Sequence, residues 1–140
     1  MRPHHPDAAM NIPYLCIAIA LALVYLPRFT FVVAAMAKAE GGYDNAEPRQ
    51  AQLKLEGAAR RALAAHQNGF ESFAPFVASI LMAESAGVSV PTITRWALVH
   101  VGARVVYVIS YVANWHPVRS LAFTVGLVAV GALMAAAITP

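Results

Sequence analysis

The sequence predicts an all-α fold, an integral membrane four-helix bundle, on three observations. Hydrophobic residues make up 59% of the 140 and charged ones only 12%, with a mean hydropathy of +0.59, too apolar for an ordinary soluble domain. Four long apolar segments are separated by connections rich in turn formers. The polar groups inside those segments recur at helical spacing, so each set can be turned away from lipid.

The same composition excludes several classes. A single cysteine, Cys16, leaves neither a disulfide framework nor a cysteine-based metal site within one chain, and it is expected as a small core or lipid-facing residue. The five histidines form no cluster at ligand spacing, so no metal is expected. The net charge of +3 is spread over residues that flank apolar runs, which is a topology signal, and no nucleic-acid partner is expected.

In chain order, residues 1–7 are polar and Pro-rich and read as a disordered tail. The first helix is predicted over about 10–37, long enough at 1.5 Å per residue to cross an apolar layer of about 30 Å. Its Ala35-Met36-Ala37 resembles a cleavage site, but the apolar run is too long for a signal peptide and Arg28 interrupts it, so the segment is expected to stay. Pro27-Arg28 predicts a kink, with Arg28 reaching toward the headgroups. Gly41-Gly42, Asp44-Asn45 and Pro48 then form the one substantial loop.

The second helix is predicted over about 52–84, bent at Pro75, and Arg61, Asn68, Glu71, Pro75 and Ser79 fall near one face of it. A carboxylate at membrane depth costs roughly 2.5–3.5 kcal/mol or more unless paired, which makes Glu71 a functional candidate. The third helix, about 92–114, carries His100, Arg104, Tyr107, Tyr111 and Asn114 at steps of four, three, four and three. The fourth, about 118–138, has no charge after Arg119, and its Gly126, Gly131 and Ala135 offer close helix approach.

Counting residues places Glu71 about 15 Å below Arg61 and Arg104 about 16 Å below Trp115, so the two charges reach one level and are expected to pair. His66 and His100 are expected as hydrogen-bonding groups between helices rather than as catalytic bases. Lys38, Arg49, Lys54, Arg60, Arg61 and Arg119 fall on one side of the membrane and only Arg2 and Arg95 on the other, which predicts non-cytoplasmic termini.

The order of these residues resembles the MAPEG family, the membrane-associated proteins of eicosanoid and glutathione metabolism. The resemblance rests on Ala65-His66-Gln67-Asn68 with Glu71 and Pro75-Phe76, on Arg104-Val105-Val106-Tyr107 with Tyr111, and on Arg119, and it runs from about Gly42 to the end. It implies a four-helix protomer, commonly a homotrimer, with sites between neighbouring subunits. In the glutathione-using members, positions like Asn68, Glu71, Arg104, Tyr107 and Tyr111 help hold glutathione, and an arginine like Arg119 stabilises its thiolate. The sequence departs from those members at Ala64-Ala65, where they usually carry Arg-Ala. One carboxylate anchor is therefore absent unless Arg61, one turn earlier, or Lys38 or Lys54 replaces it.

The segment around Gly42-Tyr43-Asp44-Asn45 is similar to a bacterial branch of the family, which implies a multi-pass protein of the bacterial inner membrane. The resemblance thus implies a glutathione-dependent transferase or peroxidase acting on lipophilic electrophiles. The alternative is a non-catalytic member that binds membrane lipid or a partner subunit. A small multidrug transporter fits poorly, since its essential carboxylate is expected in the first helix, where there is none.

Overall fold

The computed structural model describes residues 11–139, and these are helical throughout apart from turns and the loop. The N-terminal polar tail, with Arg2, lies outside the described residues. The elements are α1 (Ile12–Pro27), a π-helical turn (Arg28–Val32), α2 (Val33–Ala37), the short α3 (Pro48–Leu53), α4 (Gly57–Ser85), α5 (Val90–Val112) and α6 (His116–Ile138).

Each helix boundary has a local cause. Asn11 Oδ1 accepts the Tyr14 N–H at 3.2 Å and Pro13 occupies the first turn of α1, where a missing N–H costs nothing. Pro27 removes a donor near the end of that helix, and the chain continues as the π-turn instead of simply bending. α4 ends with Gly87 at φ +76°, its N–H on Glu84 O at 3.0 Å and the Val88 N–H on Ala83 O at 2.9 Å. α5 ends the same way with Asn114 at φ +65°, the Asn114 N–H on Tyr111 O at 3.2 Å and the Trp115 N–H on Ser110 O at 2.8 Å.

The second helix differs from its expected extent. A continuous helix over 52–84 is replaced by α3, a break at Lys54-Leu55-Glu56, and α4 from Gly57, which takes φ +55°. The break lets Leu55 turn inward against Val32, Met36 and Ala62 in a small apolar cluster, burial that an unbroken helix would not offer it.

The main core joins all four long helices: Cys16 and Ala20 from α1, Phe76, Ile80 and Ala83 from α4, Ile93, Ala97 and Val101 from α5, and Val130 and Leu133 from α6. α1 packs on α4 and α5, and α6 packs on both of those as well. Buried polar groups fasten the contacts. His66 Nδ1 lies 2.7 Å from Val24 O, and His100 Nδ1 3.0 Å from Gly126 O. Because a carbonyl only accepts, each ring carries its proton on Nδ1 and donates it. Both histidines thus take the interhelical role expected of them. At the opposite end from the loop, Tyr14 Oη donates to Glu84 Oε2 at 2.8 Å, tying α1 to α4.

Two helical stretches, Ile12–Ala37 and His116–Ile138, are long and apolar enough to cross a membrane, with mean hydropathies of 2.1 and 2.4. Only 28% of each apolar window is buried, whereas a core helix of a soluble protein is mostly buried. Leu98, Ile109, Leu121 and Leu127 likewise face outward, an aggregation liability in water and an ordinary surface in lipid.

The close approach falls at Gly69, which the sequence reading did not single out. A Cβ there would lie 3.2 Å from Val24 Cα, whereas Gly131, expected to serve this purpose, has open space around it. Gly69→Ala should therefore lower stability by about 1–3 kcal/mol through overpacking against backbone. Gly131→Ala should be neutral or slightly stabilising, because helix propensity alone changes. Thermal unfolding of the two variants in detergent checks the contrast, and equal behaviour would contradict the assigned approach.

Candidate functional site

Six of the seven residues singled out from the sequence form one connected chain across α4, α5 and the start of α6. Arg104 is 5% exposed, and its Nη1 donates to Asn68 Oδ1 at 3.1 Å. Asn68 Nδ2 in turn donates to Glu71 Oε2 at 3.1 Å, one helical turn along α4. Only this orientation of the amide satisfies both neighbours, since a guanidinium can only donate and an ionised carboxylate can only accept. Beyond Arg104, its guanidinium carbon sits 4.1 Å from the Tyr107 ring centroid, Tyr107 meets Tyr111 edge to face at 5.5 Å, and the Arg119 guanidinium lies 4.5 Å over Tyr111.

The spacing of α5 explains the sequence of contacts. Arg104, Tyr107 and Tyr111 recur at three and four residues, which stacks them on one face. Arg119 follows the Asn114 turn and stands in the first turn of α6, so that turn brings it back over Tyr111. Each cation–π contact holds a positive charge without an anionic partner among the described residues, worth roughly 0.5–2 kcal/mol depending on desolvation.

Two expectations are corrected here. Glu71 and Arg104 do not meet directly; Asn68 stands between them. The level calculated from backbone rise ignored side-chain direction: the Arg104 head reaches Asn68 and lies over the Tyr107 ring, without an ion pair to Glu71. Arg61 is the seventh residue, and it stands apart. Its Nε donates to Val112 O at 2.9 Å, capping the last carbonyls of α5 and fastening α4 to that end. Ser79, on the same predicted stripe, donates to Phe76 O within its own helix.

A cavity of about 130 Å³ adjoins the chain, walled by Glu71, Pro75, His100, Arg104, Phe123 and Leu127 among others. Phe123 and Leu127 belong to α6 and went unnoticed in the sequence, since nothing about two apolar residues in an apolar helix marks them. His100 was noticed only as a structural group. A larger hollow, about 760 Å³, lies elsewhere, under the loop, with Glu40, Asp44, Glu47 and Glu56 around it and Lys54 as its basic residue. Among the described residues, no group of three or more His, Cys, Asp or Glu is placed to hold a metal.

The relay through Asn68 has a measurable signature. In double-mutant cycles on unfolding, Asn68 should couple to Arg104 and to Glu71 by roughly 0.5–3 kcal/mol each. Coupling between Glu71 and Arg104 should vanish once Asn68 is replaced by leucine. A Glu71–Arg104 coupling that survives Asn68→Leu would restore the direct pair.

Comparison with curated proteins and with solved structures finds no match. The apolar helices, the buried arginine with its amide and carboxylate on the neighbouring helix, and the arginine at the head of α6 accompany a match to the model of the MAPEG family over residues 12–139, nearly the whole chain, and the chain is therefore a membrane protein of the MAPEG family.

Proposed function

We propose that this protein is a membrane-bound, glutathione-dependent transferase or peroxidase acting on lipophilic electrophiles, and that it works as a homotrimer of transmembrane four-helix bundles. The observation that carries the reading is the continuous array Glu71–Asn68–Arg104–Tyr107–Tyr111–Arg119. Glutathione bears two carboxylates, an ammonium and a thiol. Arg104 suits a carboxylate, the exposed Glu71 suits the ammonium, and Asn68 with the tyrosines supplies neutral hydrogen bonds. Arg119, at the far end of the array, is the catalytic candidate: a guanidinium beside a thiol favours its ionised, nucleophilic form.

Size argues for the assembly. Clefts that enclose a ligand of this class are roughly 300–1,000 Å³, well above the cavity found within one protomer. The larger hollow under the loop carries the wrong charge for two carboxylates. A neighbouring subunit closing over the outward-facing Glu71 and the α6 rim would complete the site. It would also supply the anchor absent at Ala64, since Arg61 spends its Nε on Val112 O and Lys54 lines the loop hollow. In this reading the protein lies in the bacterial inner membrane, with the loop and Arg119 on the cytoplasmic side and both termini opposite.

The second reading is a non-catalytic member that binds membrane lipid or a partner subunit, and Ala64 is the observation in its favour. Calorimetry of the detergent-purified protein with glutathione separates the two. The enzyme reading expects binding at millimolar concentration or tighter and an ultraviolet thiolate absorbance in the complex. Arg119→Ala should abolish that absorbance and lower turnover with an electrophilic test substrate by about a hundredfold while affinity changes little, because the interaction strengthens as the thiol ionises. Absence of glutathione binding would leave the lipid- or partner-binding reading.

A further inference from the structure

The loop and α3 sort their charges. Residues 38–60 carry four carboxylates, Glu40, Asp44, Glu47 and Glu56, and four cations, Lys38, Arg49, Lys54 and Arg60. All four carboxylates line the hollow under the loop, whereas of the cations only Lys54 does. A segment without net charge is thereby acidic toward the hollow and basic elsewhere, with Lys38, Arg49 and Arg60 exposed. α3 divides along the same line. Gln50 and Ala51, with Lys54 at its end, line the hollow, while Arg49 and Leu53, one turn apart, do not. Leu53 is 80% exposed, more than any other large apolar side chain among the described residues.

We infer that the outer face of α3 docks on anionic phospholipid in the headgroup layer of the protein's own membrane, with Leu53 entering the acyl boundary and Arg49 meeting a phosphate. Packing sets the depth. Leu55, two residues past Leu53, is buried with Val32, Met36 and Ala62, and Val112 of α5 packs against the same cluster. Val112 ends α5, and Trp115, 57% exposed, follows three residues later. An exposed tryptophan at the end of an apolar helix marks the headgroup level. Only residues 54–56 separate Leu53 from the start of α4, a reach of about 10 Å, so α3 stays at that level. Charge sets the lipid. Lys38, Arg49 and Arg60 complement a phosphate-rich surface, and the carboxylates that would oppose it are drawn to the hollow. A face of one arginine and one leucine suits this layer, where the apolar group dips inward and the cation stays at the phosphates. Lipid is also the one partner that a membrane protein always has at this depth, so an exposed leucine need never wait in water. The docking does not depend on glutathione, so it stands or falls separately from the proposed enzyme activity.

The test is electron paramagnetic resonance of the full chain in lipid nanodiscs, with a nitroxide attached at Leu53→Cys or, on the hollow side of α3, at Gln50→Cys. Both positions are exposed, so neither substitution disturbs packing, and the parent protein, whose Cys16 is 1% exposed, serves as the blank. Collision of the label with oxygen, which concentrates in lipid, is compared with collision with a water-soluble nickel chelate. In phosphatidylcholine mixed with phosphatidylglycerol, the label at 53 should favour oxygen and the label at 50 the nickel chelate. Omitting phosphatidylglycerol should shift the label at 53 toward the nickel chelate. The same shift is expected from Arg49→Gln, and from salt at about 1 M, where the screening length is about 3 Å. A label at 53 as open to the nickel chelate as the label at 50 would overturn the inference. So would a depth indifferent to phosphatidylglycerol, salt and Arg49, or protection of position 53 from both reagents, which is the mark of a covering protein.

Discussion

The arrangement of the helices depends on keeping one guanidinium, that of Arg104, inside an otherwise apolar helix. A charge there is tolerated only if the surroundings replace water. The replacement comes from an amide oxygen on α4 and an aromatic face on α5 itself, not from an opposite charge in contact. That choice ties the register of α4 to α5, because Asn68 must sit opposite the Arg104 head, and it places Glu71 one turn away with its outer side free. Without a direct ion pair, Glu71 stays exposed at the edge of the protomer, where a ligand or a neighbouring subunit can meet it, while Arg104 remains buried.

Neutral hydrogen bonds fasten the remaining contacts. His66 reaches Val24 O just before the backbone is disturbed by Pro27, where the Arg28 N–H turns to Tyr25 O. His100 reaches Gly126 O. Each histidine gives its Nδ1 proton to a carbonyl, so each keeps a defined tautomer without a charge. In lipid such bonds matter because the alternative partner, water, is scarce.

The polar array and the apolar exterior belong to one design. α6 presents Leu121, Leu127 and Phe123 outward while Arg119 at its head turns back onto Tyr111, so the same helix borders lipid and carries the terminal cation of the array. In the proposed function, a water-soluble thiol compound and a lipid-soluble electrophile would approach the site from different sides.

Much of this was legible in the sequence, and the parts that were not share a cause. Composition and helical periodicity determined the all-helical membrane character, the alignment of Arg104, Tyr107 and Tyr111 on one face, and the interhelical roles of His66 and His100, because each follows from how residues repeat along a single helix. Tertiary structure alone decided that Asn68 separates Glu71 from Arg104, since a depth count follows the backbone and not the direction of a long side chain. It alone sent Arg61 to Val112 O, broke the second helix so that Leu55 could reach the cluster around Met36, and chose Gly69 rather than Gly131 for the closest approach. These outcomes depend on which side chain meets which neighbour across two helices, and one helix's sequence holds no distance to another.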